Sequence, residues 1–244
     1  MSLTIGITWA RGTGSTLPGK NKYPILGKPL IHYPLTALKA SGTVDQHYVF
    51  TEDDEIAETV LATGWKVIPR PSHLVHYHNK RFNNEEAWKL IVEHVQQDLD
   101  LPLPQLSNRN WGSTFRFLSD YSFSLNCNTC MLRSKTFQKM FNIMKNKERP
   151  IVVPAIQCDE QLMLAHHDEY LFPLWHAPNL NRQYYPKIYK PLLSTFFQNP
   201  HITNPTKPML YFHEISEIEA MDVHTEQDIE RIEYYLQRHP DYFG

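Results

Sequence analysis

Residues 3–9 form an apolar, β-branched run that ends at Trp9 and passes directly into ARGTGSTLPGKN, residues 10–21. The run reads as a buried first strand. The loop after it carries three glycines with Arg11 and Lys20. Glycines let backbone N–H groups come close to an anion, and the two cations offset its charge. Arg presents a planar fork of donors, while Lys acts as a point charge. A strand followed by such a loop suits a phosphate chain. Residues 25–40 follow, with two prolines and then a helix-like pattern.

Other readings of the loop stay open on the residues alone. Gly14 to Lys20 fits the G-x-x-x-x-G-K spacing of a P-loop, but the next residue is Asn21, not the Ser or Thr whose hydroxyl holds Mg²⁺. Pro24 also falls where a P-loop helix should already run. An ordinary surface turn is the plainer alternative, although turns rarely need both Arg and Lys among glycines and prolines.

The chain has 244 residues, enough for a sizeable core in one or two domains. With 41% hydrophobic and 20% charged residues it has ordinary globular composition. A formal net charge of −2 without a basic block gives no footprint for nucleic acid. No apolar run approaches the ~20 residues of a membrane span. The first residues, MSLTIGITWA, have no charged leader or small-residue cleavage site. Three cysteines cannot all pair within the chain, so a reducing, cytoplasmic location is expected.

Along the chain, residues 44–51 read as a second strand. Asp53-Asp54-Glu55 opens a helix that stops at Gly64, and residues 65–68 form a third strand. This β-α-β-α-β order is that of a parallel sheet covered by helices. Residues 84–99 read as a helix with Ala87, Leu90, Ile91, Val95 and Leu99 on one face, and 101–109 as an exposed connector. Residues 115–126 read as strand, 132–147 as helix, 151–156 as strand and 157–208 as irregular. Residues 209–212 read as the last strand. Thr225 to Asp228 is a capping-box-like start to a helix ending near Arg238. No internal repeat stands out.

The loop ARGTGSTLPGKN, with LGKPLI at 26–31, resembles the N-terminal signature of the CMP-sialic acid synthetases (acylneuraminate cytidylyltransferases) and their relatives for other 3-deoxy-2-keto acids. The match holds at Ala10, Arg11, Gly12, Ser15, Pro18, Gly19, Lys20, Asn21 and through Gly27 to Ile31. Thr13-Gly14 adds one residue before the serine. TEDDEIAETVLATGWKV, residues 51–67, resembles the family's second βαβ unit, and Arg70 lies in the loop after it.

Later segments fit less closely. Thr129, Leu132 and Arg133 match a P-T-S-P-L-R motif near the acceptor sugar, but both prolines are absent and Cys127 stands where a Gln is usual. Arg182, Gln183, Pro186 and Tyr189 resemble R-Q-x-x-P-x-x-Y. Met221 to Thr225 resembles I-D-I-D-T, with Asp222 at the first aspartate and His224 replacing the second. Imidazole is a poorer Mg²⁺ ligand than carboxylate.

The resemblance implies a three-layer α/β/α Rossmann-like nucleotidyltransferase with a mostly parallel sheet, the nucleotide-diphospho-sugar transferase fold. It implies one domain over residues 1–244, with a dimerisation arm within 157–208 and a homodimer. The implied reaction joins CMP from CTP to a sialic acid-like sugar acid and releases pyrophosphate. Arg11, Lys20 and Asp222 would carry the chemistry. Ala10, Arg11, Gly12, Ser15, Lys20, Asn21 and Arg70 would hold the nucleotide. Cys127, Thr129, Arg182 and Gln183 would face the acceptor. Asp222 and His224 would hold Mg²⁺, or Mn²⁺ given the imidazole. Two alternatives accompany this: a different acid such as a phosphonate, given the changed Cys127–Met131 stretch, and a nucleotide-binding subunit with little catalysis, given His224.

Plainer readings stand beside these. Asp222 alone could be a solvated carboxylate near a helix start, and Arg182 a surface arginine. Cys127 and Cys130 form C-x-x-C without a second pair, so they read as packing thiols before zinc or redox groups. His73, His76 and His78 alternate as on an exposed edge, and His166-His167 sit in a polar stretch.

Overall fold

The computed structural model describes residues 2–13, 17–75, 84–104, 110–147, 150–158, 164–167, 170–173, 187–202 and 210–244. The first strand, β1 (Thr4–Trp9), is followed by a small hairpin of β2 (Pro24–Ile25) and β3 (Lys28–Pro29). Its turn holds Leu26 and Gly27 at positive φ, 46° and 79°, a conformation in which glycine is unstrained. Then come α1 (His32–Ser41), β4 (Gln46–Thr51), α2 (Asp54–Ala62) and β5 (Lys66–Pro69). The expected β-α-β-α-β order is therefore present. α2 starts where its acids suggested: the Asp53 carboxylate accepts from the Ile56 N–H at 3.1 Å.

The next elements are α3 (Asn84–Leu99), α4 (Trp111–Arg116), β6 (Tyr121–Leu125), α5 (Ser134–Lys147) and β7 (Ile151–Cys158). The strand expected over 115–126 is shorter than that span, because its first residues close α4. The Asn110 side chain caps that helix through the Ser113 N–H at 3.1 Å, and Phe115 packs into the core. The stretch 157–208 is not wholly irregular. It includes β8 (Leu164–His167), β9 (Tyr170–Pro173), β10 (Ile188–Pro191) and β11 (Phe196–Gln198). β12 (Leu210–Glu214) and α6 (Glu226–Arg238) complete the order. α6 opens with a full capping box between Thr225 and Asp228.

The main sheet has eight strands. β5, β4, β1 and β6 are parallel neighbours in that order. β11 then runs antiparallel between β6 and β7. β12 pairs in parallel along the other edge of β7, with Val152 opposite both Phe197 and Tyr211. Helices cover both faces. Leu35 and Leu38 of α1, Ile56 and Val60 of α2, Phe137, Met140 and Met144 of α5, and Ile229 and Ile232 of α6 fill one core. Ala87, Ile91 and Val95 of α3 and Phe115 of α4 meet Ile5, Ile7, Tyr48 and Phe50 on the other. The chain leaves β1 toward β4 on one side and reaches β6 on the other. In open parallel sheets this switch point forms a crevice at the carboxyl ends of the strands.

Candidate functional site

The loop after β1 is laced from within. The Ala10 N–H bonds the Phe50 carbonyl at 3.1 Å, tying it to the end of β4. Asn21 is buried, and its side-chain amide donates to the Arg11 carbonyl at 2.9 Å. Its Oδ1 is buried without a partner among the described residues. The Gly12 N–H donates to Glu52 Oε1 at 2.9 Å. A Cβ on Gly12 would stand 2.1 Å from Asp53 Oδ2, so this close approach requires glycine. Lys22 pairs with Asp53 at 2.9 Å and Glu55 at 3.4 Å, which fixes the far end of the loop on α2. Ser15 lies outside the described residues.

Two further segments meet this loop at the switch point. After β6, the Cys127 thiol reaches the Trp9 carbonyl at 3.9 Å. Before α6, the Val223 N–H bonds the Asn128 carbonyl at 3.1 Å. The Lys20 ammonium then donates to the Val223 carbonyl at 3.4 Å. Burial lowers the Lys20 pKa; the charge of Asp222 opposes that fall, and Arg11 adds to it. Arg11, Lys20, Cys127 and Asp222 thus share one electrostatic neighbourhood, although they come from three separate stretches of chain.

Asp222 bonds His224 Nε2 through Oδ2 at 3.1 Å, and its Oδ1 is buried without a partner among the described residues. An orphaned carboxylate oxygen beside a lysine suits a hard cation that takes its remaining ligands from phosphates and water. Among the described residues no group of three His, Cys, Asp or Glu could hold a metal by itself. The donor set fits Mg²⁺ bound through one carboxylate together with a polyphosphate, and His224 is the weaker member. Asp222 also lines a cleft of about 630 Å³ with Gln157 and Lys190. A separate cavity of about 500 Å³ lies behind Trp9 on the α3–α4 face, lined by Trp88, Ser122, Ser124 and Gln198, and holds none of the expected site residues.

The remaining expected residues are placed less directly. Thr129 is buried, and its hydroxyl donates to the Asn126 carbonyl at 3.0 Å, closing a turn. Cys127 and Cys130 are free and buried, and burial pushes both thiols up to about 12. They are neutral packing groups. Arg70 is buried, donates to the Leu74 carbonyl, and lies 5.8 Å and 5.4 Å from the ring centres of Trp9 and Phe50. Arg182 and Gln183 lie outside the described residues, as do His76 and His78. His73 pairs with Glu86 at 2.8 Å.

Sequence reasoning passed over Glu219. It is 3% exposed, pairs with Arg133 at 3.0 Å, and accepts from the Thr136 hydroxyl. This pairing fastens the segment carrying Asp222 to the start of α5. No local signal sets it apart from Glu214 and Glu217, which stand in the same stretch.

Residues 5–85 match the cytidylyltransferase family model. The match contains both the loop at 10–21 and the second βαβ unit, so the resemblance read from those residues holds. Pseudaminic acid cytidylyltransferases of Campylobacter jejuni subsp. jejuni serotypes O:2 and O:23/36 are each 40% identical over 57 residues. That stretch is 23% of this chain and 25% of each relative, so the alignment spans about a quarter of the relatives' length. A solved CMP:2-keto-3-deoxy-manno-octonic acid synthetase complexed with CTP superposes over 98% of this chain and 100% of its own, with a TM-score of 0.63 and 15% identity. The 4-diphosphocytidyl-2C-methyl-D-erythritol synthase of Anaerococcus prevotii DSM 20548 covers 97% and 99%, with a TM-score of 0.61 and 12% identity. At these identities the likeness is one of fold, and it bears out the expected Rossmann-like α/β architecture. Among the described residues no helix is long and apolar enough to cross a membrane.

Proposed function

We propose that this protein transfers CMP from CTP to a 2-keto-3-deoxy sugar acid of the sialic acid type and releases pyrophosphate. The observation that carries this reading is the convergence of Arg11, Lys20 and Asp222 at the switch point. The matched cytidylyltransferase segment supports the nucleotide. Arg11 and Lys20 hold the phosphates, Ala10, Gly12 and Asn21 shape the loop around them, and Ser15 is assigned to the same nucleotide. The acceptor's anomeric hydroxyl oxygen attacks the α-phosphorus as the bond to pyrophosphate breaks. Chemistry of this kind depends on in-line placement and on neutralising charge. Mg²⁺, when bound, adds positive charge at the phosphates, and Asp222 is the residue to hold it.

The acceptor lies on the Asp222 side. The cleft with Gln157 and Lys190 offers a hydrogen-bonding amide and a cation to an acid there. Arg182 and Gln183 are assigned to the same acceptor, Arg182 for its carboxylate. Thr129 and Cys127, in the turn after β6, are assigned to the same acceptor. A homodimer with an arm in 157–208, acting in the cytoplasm, completes the proposal; the free thiols of Cys127 and Cys130 suit a reducing compartment. One observation favours a second reading: His224 already occupies Asp222 Oδ2, as a nucleotide-binding subunit with little turnover could tolerate. Formation of a CMP-sugar from CTP, followed by mass spectrometry, separates the two.

A further inference from the structure

The carboxyl edge of the sheet has two poles on either side of β1. Lys20, Cys127 and Asp222 gather on the β6 side. Glu52 stands at the end of β4, on the other side. Its two carboxylate oxygens are in different states. Oε1 accepts from the Gly12 N–H at 2.9 Å. Oε2 is buried and has no hydrogen-bond partner among the described residues. The acids beside it are occupied, Asp53 by the cap of α2 and by Lys22, and Glu55 by Lys22. Among the described residues no ion pair includes Glu52.

A buried carboxylate oxygen without a donor is costly, and native structures commonly give such atoms a partner. A phosphate cannot be that partner, because like charges repel. The neighbouring acids Asp53 and Glu55 are already paired with Lys22 and leave Glu52 without a second carboxylate to share a cation, so the partner sought is an N–H or O–H donor. With the phosphate pole across β1, the nucleoside of a bound nucleotide falls on the Glu52 side. Cytosine presents a 4-amino donor where uracil presents a carbonyl acceptor. We propose that Glu52 selects the base: Oε2 accepts a hydrogen bond from the 4-amino group of cytosine while Oε1 keeps Gly12 in place. This rests on the reading of the loop as a CTP site.

Glu52→Gln separates the two oxygens. The amide oxygen still accepts from Gly12, and the NH₂ group puts a donor where Oε2 was. Cytosine then meets donor against donor, while uracil gains a partner for its carbonyl. CTP and UTP are titrated calorimetrically into parent and variant. The parent is expected to prefer CTP, and the variant's CTP/UTP affinity ratio to move toward UTP by about 10- to 100-fold. An unchanged ratio overturns the proposal. So does equal weakening of both nucleotides, which leaves Glu52 as a prop for Gly12 or a contact to ribose, whose hydroxyls can accept as well as donate. A parent that binds neither nucleotide removes the CTP site itself, and base selection with it. Where Glu52→Gln does not fold, Glu52→Asp serves: drawing the carboxylate back should lose the preference for CTP with no gain for UTP, and a retained preference overturns the proposal.

Discussion

Lys20 and Val223 are 203 positions apart in sequence, yet the Lys20 ammonium lies 3.4 Å from the Val223 carbonyl oxygen. This contact joins the loop after β1 to the segment that carries Asp222. It also keeps the lysine half-buried, which lowers its pKa. Lys20→Ala removes the cation and the link together. CTP affinity should fall about 10- to 100-fold, as for a lost charge-assisted hydrogen bond. Calorimetric titration checks this, and undiminished binding would remove Lys20 from the site.

Gly12 leaves no room for a side chain against Asp53. Gly12→Ala should push Asp53 away, loosen its pairing with Lys22 and weaken the cap of α2. Loss of such a cap costs about 1 kcal/mol, so both the melting temperature and CTP affinity should drop. Adding Asp53→Gly, which removes every clashing side-chain atom and is a tolerated cap residue, should recover part of both. Failure of the double variant to recover either would place the strain elsewhere.

Asp222 and His224 are bonded at 3.1 Å. Asp222→Asn should abolish Mg²⁺-dependent turnover. His224→Asp supplies a second hard oxygen ligand and should lower the Mg²⁺ concentration for half-maximal activity. If activity falls instead, the imidazole is a working group, and the parent should then prefer Mn²⁺. Metal titration of parent and both variants decides, and equal Mg²⁺ dependence in all three would show that this segment binds no metal.

His47 gives a prediction on stability. Its ring is fully buried, bonds the Thr8 hydroxyl at 2.9 Å, and leaves Nδ1 without a partner among the described residues. Burial drives its pKa down to about 3. The folded protein therefore keeps His47 neutral, while the unfolded chain protonates it near the ordinary value of 6.5. The native state is most favoured above pH 6.5. This contribution declines as pH falls from 6.5 toward 3, by about 1.4 kcal/mol per pH unit. Urea unfolding at pH 7, 6 and 5 measures the slope. His47→Gln should flatten it, and an identical slope in the variant would contradict the assignment.

The sequence was most legible where interactions are local. The strand ending at Trp9, the loop from Ala10 to Asn21, the acid-capped α2 and the capping box at Thr225 all declare themselves within a few residues. α4 did not: six residues containing Gly112 and aromatic or β-branched neighbours carry little helix propensity, and packing against α3 decides the outcome. β11 is three residues long and inserts antiparallel between β6 and β7, a pairing that no local pattern encodes. The same division runs through the site. The loop from Ala10 to Asn21 could be read directly. Glu219 holding Arg133, and Lys20 reaching Val223, depend on folding distant segments together. At Arg70 the residue type and position suggested the nucleotide, and the bond from its guanidinium to the Leu74 carbonyl is a contact that no local pattern encodes.

The most direct measurement is pyrophosphate release by the purified protein given CTP, Mg²⁺ and, in turn, pseudaminic acid, N-acetylneuraminic acid and 3-deoxy-manno-octulosonic acid, with a phosphonate as comparison. The account predicts release with at least one sugar acid, in equal amount to the CMP-sugar formed, and none without an acceptor. CTP binding without release for any sugar acid, or release with the phosphonate alone, would contradict it.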